Sequence, residues 1–205
     1  MGCDIHMFVE IHRHDRDFKD GWRDADNYQK DYWNTDKRVT ELSRFEKVPI
    51  WDGRDYTLFS ILAGVRNSNN IKPVKEPRGF PEDCNESIKN QYEEWGIDAH
   101  TPSWLTLKEL KAYSNKHKTF PYSGLVDPEA ARKLDEENIY PSTWCADTSD
   151  KTWVYREWQR EQYSLGKLIS NLEQRLEEYR YYFTFEEREN NKHESKIRIV
   201  FWFDN

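Results

Sequence analysis

Asp and His recur two residues apart at two places in the chain. Asp4 and His6 stand in MGCDIHMFVE, and Asp98 and His100 in WGIDAHTPSW. Carboxylates and imidazoles both ligate divalent metals, and two of each suit an ion of the Zn or Mn type. Such an ion activates water and polarises a phosphoryl oxygen. Asp4, His6, Asp98 and His100 are therefore the expected catalytic and metal-binding residues. The competing reading is local: Asp98 and Ser103 form turns, and His100 bonds to loop backbone. A second group of residues points to anions. Arg54, Arg66 and Arg78 stand near helix ends or in a Pro/Gly loop of an otherwise acidic chain. A guanidinium fork fits phosphate or carboxylate. With Asn67, Ser103 and Trp95, whose ring could stack on a base, they form the expected ligand-binding set. Against this stands pairing of the arginines with the chain's own carboxylates, and Trp104 is read as core.

The elements that must position these groups follow from hydrophobic period. In the opening stretch Cys3, Ile5, Met7, Val9 and Ile11 alternate with Asp4, His6, Phe8, Glu10 and His12. That is a strand with one buried face, on which Asp4 and His6 leave the other face about 7 Å apart. Beyond Glu10 the polar face is read as solvated. The run KIRIVFWFD (196–204) is a second strand, apolar on both faces and so central. It is expected beside the first, antiparallel to it. Helices are expected over 54–66, with Asp55 as N-cap, over 86–95 ending at Gly96, and after the capping box Thr106–Glu109. Another begins at Asp127-Pro128. A long helix is expected over 157–183, because Leu165, Leu168, Leu172 and Leu176 fall at helical spacing. Residues 67–83, 186–195 and the second Asp-x-His stretch read as loops and turns. The expected fold is α+β: a small, largely antiparallel sheet including the N- and C-terminal strands, packed on several helices. It forms one domain over 1–205, with a charged, aromatic-rich excursion at about 13–48 that carries Trp22, Tyr28, Tyr32 and Trp33.

Composition narrows the classes. Charged residues make up 34% of the 205 residues, which alone would favour disorder, but aromatics make up 15%, and rings bury much area per residue. The net charge of −7 argues against duplex nucleic acid as partner. Three cysteines without a C-x-x-C pair point to a reducing, cytoplasmic setting, and Cys3, on the buried face, is a poor nucleophile. No apolar run is long enough to span a bilayer, and MGC lacks the Ser or Thr that N-myristoylation asks for at position six. Walker, G-x-G-x-x-G and G-x-S-x-G motifs are absent from the sequence.

MGCDIHMFVE, RDYTLFSILAGVRN (54–67), EPRGFPED (76–83) and WGIDAHTPSWLTLKEL (95–110), in that order, resemble an uncharacterised family of bacteriophage and prophage proteins. The resemblance covers mostly the first 110 residues, and the stretch Arg13 to Val48 is longer than it leads one to expect. It implies a viral or mobile-element setting inside a bacterial cell, and no activity, fold or cofactor. The leading expectation is a metal-dependent hydrolase of a phosphoester, a nucleotide or cyclic nucleotide signal. The alternatives are a non-catalytic anti-defence sponge that sequesters such a signal, with an aromatic surface that would suit a homo-oligomer, and a protein that blocks a host protein.

Overall fold

The computed structural model describes residues 2–15, 18–31 and 45–205. Tyr32 and Trp33 of the expected excursion lie outside them. At its centre is a four-stranded antiparallel sheet in the order β2-β1-β8-β5. Strand β1 (Asp4–Asp15) pairs on one side with β2 (Phe18–Asp24) and on the other with β8 (Ile197–Asp204). The register sets Asp4 opposite Asp204, His6 opposite Trp202 and Glu10 opposite Arg198. β5 (His100–Thr106) completes the sheet on the far side of β8. The terminal strands are thus antiparallel neighbours, and β8 is central, as its two apolar faces require.

The odd face of β1 packs as its alternation demands. Ile5, Met7, Val9 and Ile11 meet Ile197, Ile199, Phe201 and Phe203 of β8 in the main core. Helices α1 (Tyr56–Ala63), α3 (Leu107–Lys116) and α5 (Tyr163–Glu178) cover this face. Each starts on a side-chain cap. Asp55 accepts the Leu58 N–H at 3.0 Å, and Thr106 and Glu109 close a reciprocal capping box. Gln162 accepts the Ser164 N–H at 3.0 Å. The row Leu165, Leu168, Leu172, Leu176 turns inward, and truncating one such leucine costs about 2–5 kcal/mol.

The opposite face holds a smaller cluster in which Phe8, Val200 and Trp202 meet Ile88 of α2 (Glu86–Glu94), with Phe80, Tyr92 and Trp104 at its edge. Trp104 accordingly packs, partly buried, against this cluster. On this same face Glu10 is buried together with its partner, Arg198. Glu10 is 0% exposed and Arg198 2%, and Arg198 Nε–H donates to Glu10 Oε2 at 2.8 Å. The same guanidinium donates to Asp83 Oδ1 at 2.8 Å and lies 3.8 Å over the Trp22 ring. Glu10 can be buried because its second oxygen accepts the Asn85 N–H at 2.8 Å, so both oxygens have donors.

Two antiparallel pairs stand outside this sheet: β3 (Asn27–Lys30) with β4 (Phe45–Val48), and β6 (Phe120–Val126) with β7 (Val154–Arg160). The second pair corrects the helix expected over 157–183. Val154, Arg156, Trp158 and Arg160 alternate with Tyr155, Glu157 and Gln159, and pairing with β6 holds that stretch extended. The helix starts only at Tyr163. Helix α4 (Pro128–Glu137) follows β6 on its Asp127 cap. The polar stretch 186–195 is more ordered than a turn. It contains most of α6 (Phe185–Glu189), opened by a Thr184–Glu187 capping box, and a 3-10 segment at Lys192–Lys196. Among the described residues no helix is long and apolar enough to cross a membrane.

Candidate functional site

The two Asp-x-His pairs arrive in different settings. Asp4 and His6 lie on β1 as the alternation requires, each with a partner. The Asp4 carboxylate takes a two-point bond from Arg54, Nε to Oδ1 at 2.8 Å and Nη2 to Oδ2 at 2.5 Å. Arg54 holds the Asp4 carboxyl below its usual range. His6 Nε2 lies 3.0 Å from Asp204 Oδ2, within hydrogen-bond distance. The other Asp204 oxygen accepts the Asp4 N–H at 3.0 Å. The His6 ring sits between Trp95, at 4.5 Å between centroids, and Trp202, at 5.3 Å.

The second pair is not in a loop throughout. Asp98 ends a 3-10 turn and is exposed, while His100 opens β5. His100 pairs with Phe203 and stacks on its ring, whereas His6 pairs with Trp202 and stacks on that one. Adjacent residues of β8 face opposite ways, so the two imidazoles stand on opposite faces of the sheet. His100 Nδ1 is 2.8 Å from Thr101 Oγ1, beside a bulge where Thr101 takes φ 54°. The four donors expected around one ion are therefore dispersed. Among the described residues no group of three or more His, Cys, Asp or Glu side chains is placed to hold a metal. Cys3 is fully buried, and that burial pushes its thiol pKa up.

The anion-directed residues divide. Arg78 is closed into the structure. It makes a two-point contact with Glu109, Nη1 to Oε1 at 3.0 Å and Nη2 to Oε2 at 3.1 Å, donates to the Trp104 carbonyl and lies 3.7 Å over the Trp104 ring. Burial works to raise the Glu109 carboxyl, but Arg78 and the Thr106 N–H bring it below its usual value. Ser103 is 0% exposed and accepts the Arg78 N–H. Asn67 holds both backbone groups of Ile71, at 2.7 and 2.8 Å, and so shapes a turn. Trp95 is 44% exposed, against His6.

Arg54 and Arg66, by contrast, line one cleft of about 570 Å³ between α1, the β6–β7 pair and the start of α5. That volume is in the range of small-molecule sites. Arg54 precedes the Asp55 cap. Arg66 follows Gly64, whose φ of 71° ends α1, and it folds back to within 5.9 Å of the Tyr56 ring centre while donating to Asn205 Oδ1 at 3.0 Å. The facing wall carries Tyr122, Trp144 and Arg160. Gly124 admits Trp144 there, because a Cβ on Gly124 would fall 2.8 Å from that side chain. Arg160 lies 5.5 Å from the Tyr122 ring centre and 5.8 Å from that of Tyr140. Among the described residues it meets no carboxylate.

Among the described residues the cleft is lined by one carboxylate, Asp55, whose oxygens are already engaged by the Leu58 N–H, by Ser164 Oγ at 2.5 Å and by Gln162 Nε2 at 3.2 Å. Ser123 Oγ donates to Asn69 Oδ1 at 2.7 Å, which fixes the Asn69 amide in the cleft wall. Burial pushes the Tyr122 phenol pKa up, so it stays a neutral hydroxyl beside the arginines. The sequence reading named Arg54 and Arg66 but not Arg160, Tyr122, Trp144 or Asn69, which come from four separate stretches. Asp204 was within reach: once the terminal strands are paired antiparallel, the acid at the end of one stands opposite Asp4. Comparison with protein-family models, with curated proteins and with solved structures finds no match to the chain.

Proposed function

We propose that the protein binds a small phosphorylated molecule bearing a flat ring, a nucleotide or nucleotide-like signal, in the cleft between α1, β6–β7 and α5. One observation carries the reading: among the described residues three arginines and several aromatic rings surround a cleft whose one lining carboxylate is already hydrogen-bonded. Arginine forks take phosphate oxygens, and rings take the face of a base. Of the functions considered from sequence, sequestration is favoured over hydrolysis. The Asp and His donors that hydrolysis was expected to use are dispersed over two faces of the sheet. In the bacterial setting that the resemblance implies, such a protein would act as a sponge for a signalling nucleotide.

The test is calorimetric titration with the four nucleoside monophosphates, their 3′,5′-cyclic forms and inorganic phosphate, followed by heat denaturation and analysis of the released ligand. We expect at least one nucleotide to bind more tightly than phosphate and to be recovered intact, and Arg160→Ala to weaken it at least tenfold. Recovery of a cleaved product would return the weight to a hydrolase. Binding unchanged in Arg160→Ala would remove the cleft from consideration.

A further inference from the structure

Arg54 and Arg160 enter the cleft from opposite walls in different states. Arg160 has rings beside it and, among the described residues, no acid, whereas both bonds of the Arg54 fork are occupied by Asp4. A carboxylate presents two oxygens to a guanidinium much as a phosphate does. We propose that Asp4 is an intramolecular competitor for the ligand, sitting on the Arg54 fork that the ligand's phosphate takes, so that binding proceeds by exchange of one anion for the other. The inference rests on the ligand reading above.

Three features support exchange. First, the pair is cheap to part: both side chains are 51% exposed, and exposed ion pairs contribute little to stability. Second, the competitor cannot drift away. Its backbone N–H is held by Asp204, and its strand is paired to β8, so Asp4 stays in place when Arg54 leaves. Third, the docked position of Arg54 depends on Gly2. A Cβ there would overlap the guanidinium as docked, so even Ala would make the Arg54 side chain shift. Arg160 would take the anion first, and Arg54 would transfer from Asp4 to complete the contact.

Two variants attack the contact from different sides. Asp4→Asn removes the competing charge, and Gly2→Ala crowds the docked guanidinium while leaving Asp4 intact. Each is titrated against AMP, GMP, CMP and UMP and their 3′,5′-cyclic forms beside the wild type, with thermal melts to confirm folding. We expect the best-bound nucleotide to bind roughly three- to tenfold more tightly to Asp4→Asn, with a smaller gain for Gly2→Ala. Binding seen only in Asp4→Asn would also support the competitor. If the wild type binds a nucleotide and Asp4→Asn binds it equally or more weakly, the competitor is overturned while the cleft reading stands. If neither protein binds any of the four or their 3′,5′-cyclic forms, both fall together.

Discussion

Two regions of the molecule gather the same materials and do opposite things with them. Behind the central sheet Arg198 lies over Trp22 and Arg78 over Trp104, much as Arg160 lies beside Tyr122 and Tyr140 in the cleft. Behind the sheet, acids complete the arrangement: Glu10 and Asp83 for Arg198, Glu109 for Arg78. In the cleft, Arg160 meets no acid among the described residues, and the local carboxylate, Asp55, serves helix caps instead. Arginine and aromatic rings are therefore not a signature of binding by themselves. The supply of carboxylates decides whether the cation closes a fold or waits for an anion, and Arg54, half-exposed on Asp4, stands between the two.

The largest effect that would break the comparison is expected at Arg198. Arg198→Ala leaves Glu10 buried without its countercharge and should destabilise by about 3–5 kcal/mol in denaturant unfolding. A loss under 1 kcal/mol would mean that the buried pair is not what holds the back of the sheet. Arg78→Ala should cost less, about 1–2 kcal/mol, since the group is only partly buried. It should also alter the acid limb. The Glu109 carboxyl lies below its usual value in the fold, so its contribution is present above the ordinary glutamate range and is lost as pH falls through the folded value. Melting temperatures recorded against pH should therefore fall less steeply in acid for Arg78→Ala than for the wild type. The smallest effect is expected at Arg160. Arg160→Ala should change stability by no more than about 0.5 kcal/mol while abolishing the ligand response, because no partner is stranded. A large stability loss there would place Arg160 with Arg78 and Arg198, as a structural cation.

What the sequence disclosed, and what it withheld, divides along the same line. Period-two alternation placed the inward face of β1, and the caps at Asp55, Thr106 and Asp127 were legible because each is settled within four residues. Pairings across the chain were not. Glu10 meets Arg198 only because β1 and β8 adopt one register out of several, and nothing near Glu10 in the sequence names that partner. β7 was mistaken for helix because Glu157 to Arg160 run into a leucine row with helical spacing, and only the presence of β6 resolves the boundary. Arg160 could not be singled out for the same reason: its place in the cleft depends on a partner strand some forty residues earlier. Arg54 and Arg66 could, since both flank a helix that is readable by itself.

The position of β8 has a consequence for how the molecule is made. Residues 197–204 lie between β1 and β5, which do not touch each other in the sheet and are joined only through this strand. β1 precedes its partner β8 by nearly two hundred residues, so one edge of the first strand has no partner in this sheet until the later one joins. Contacts spanning nearly two hundred residues are slow to form. Closure of the sheet therefore waits on β8, and a change that disrupts residues 197–204 would part β1 from β5 rather than fray an edge.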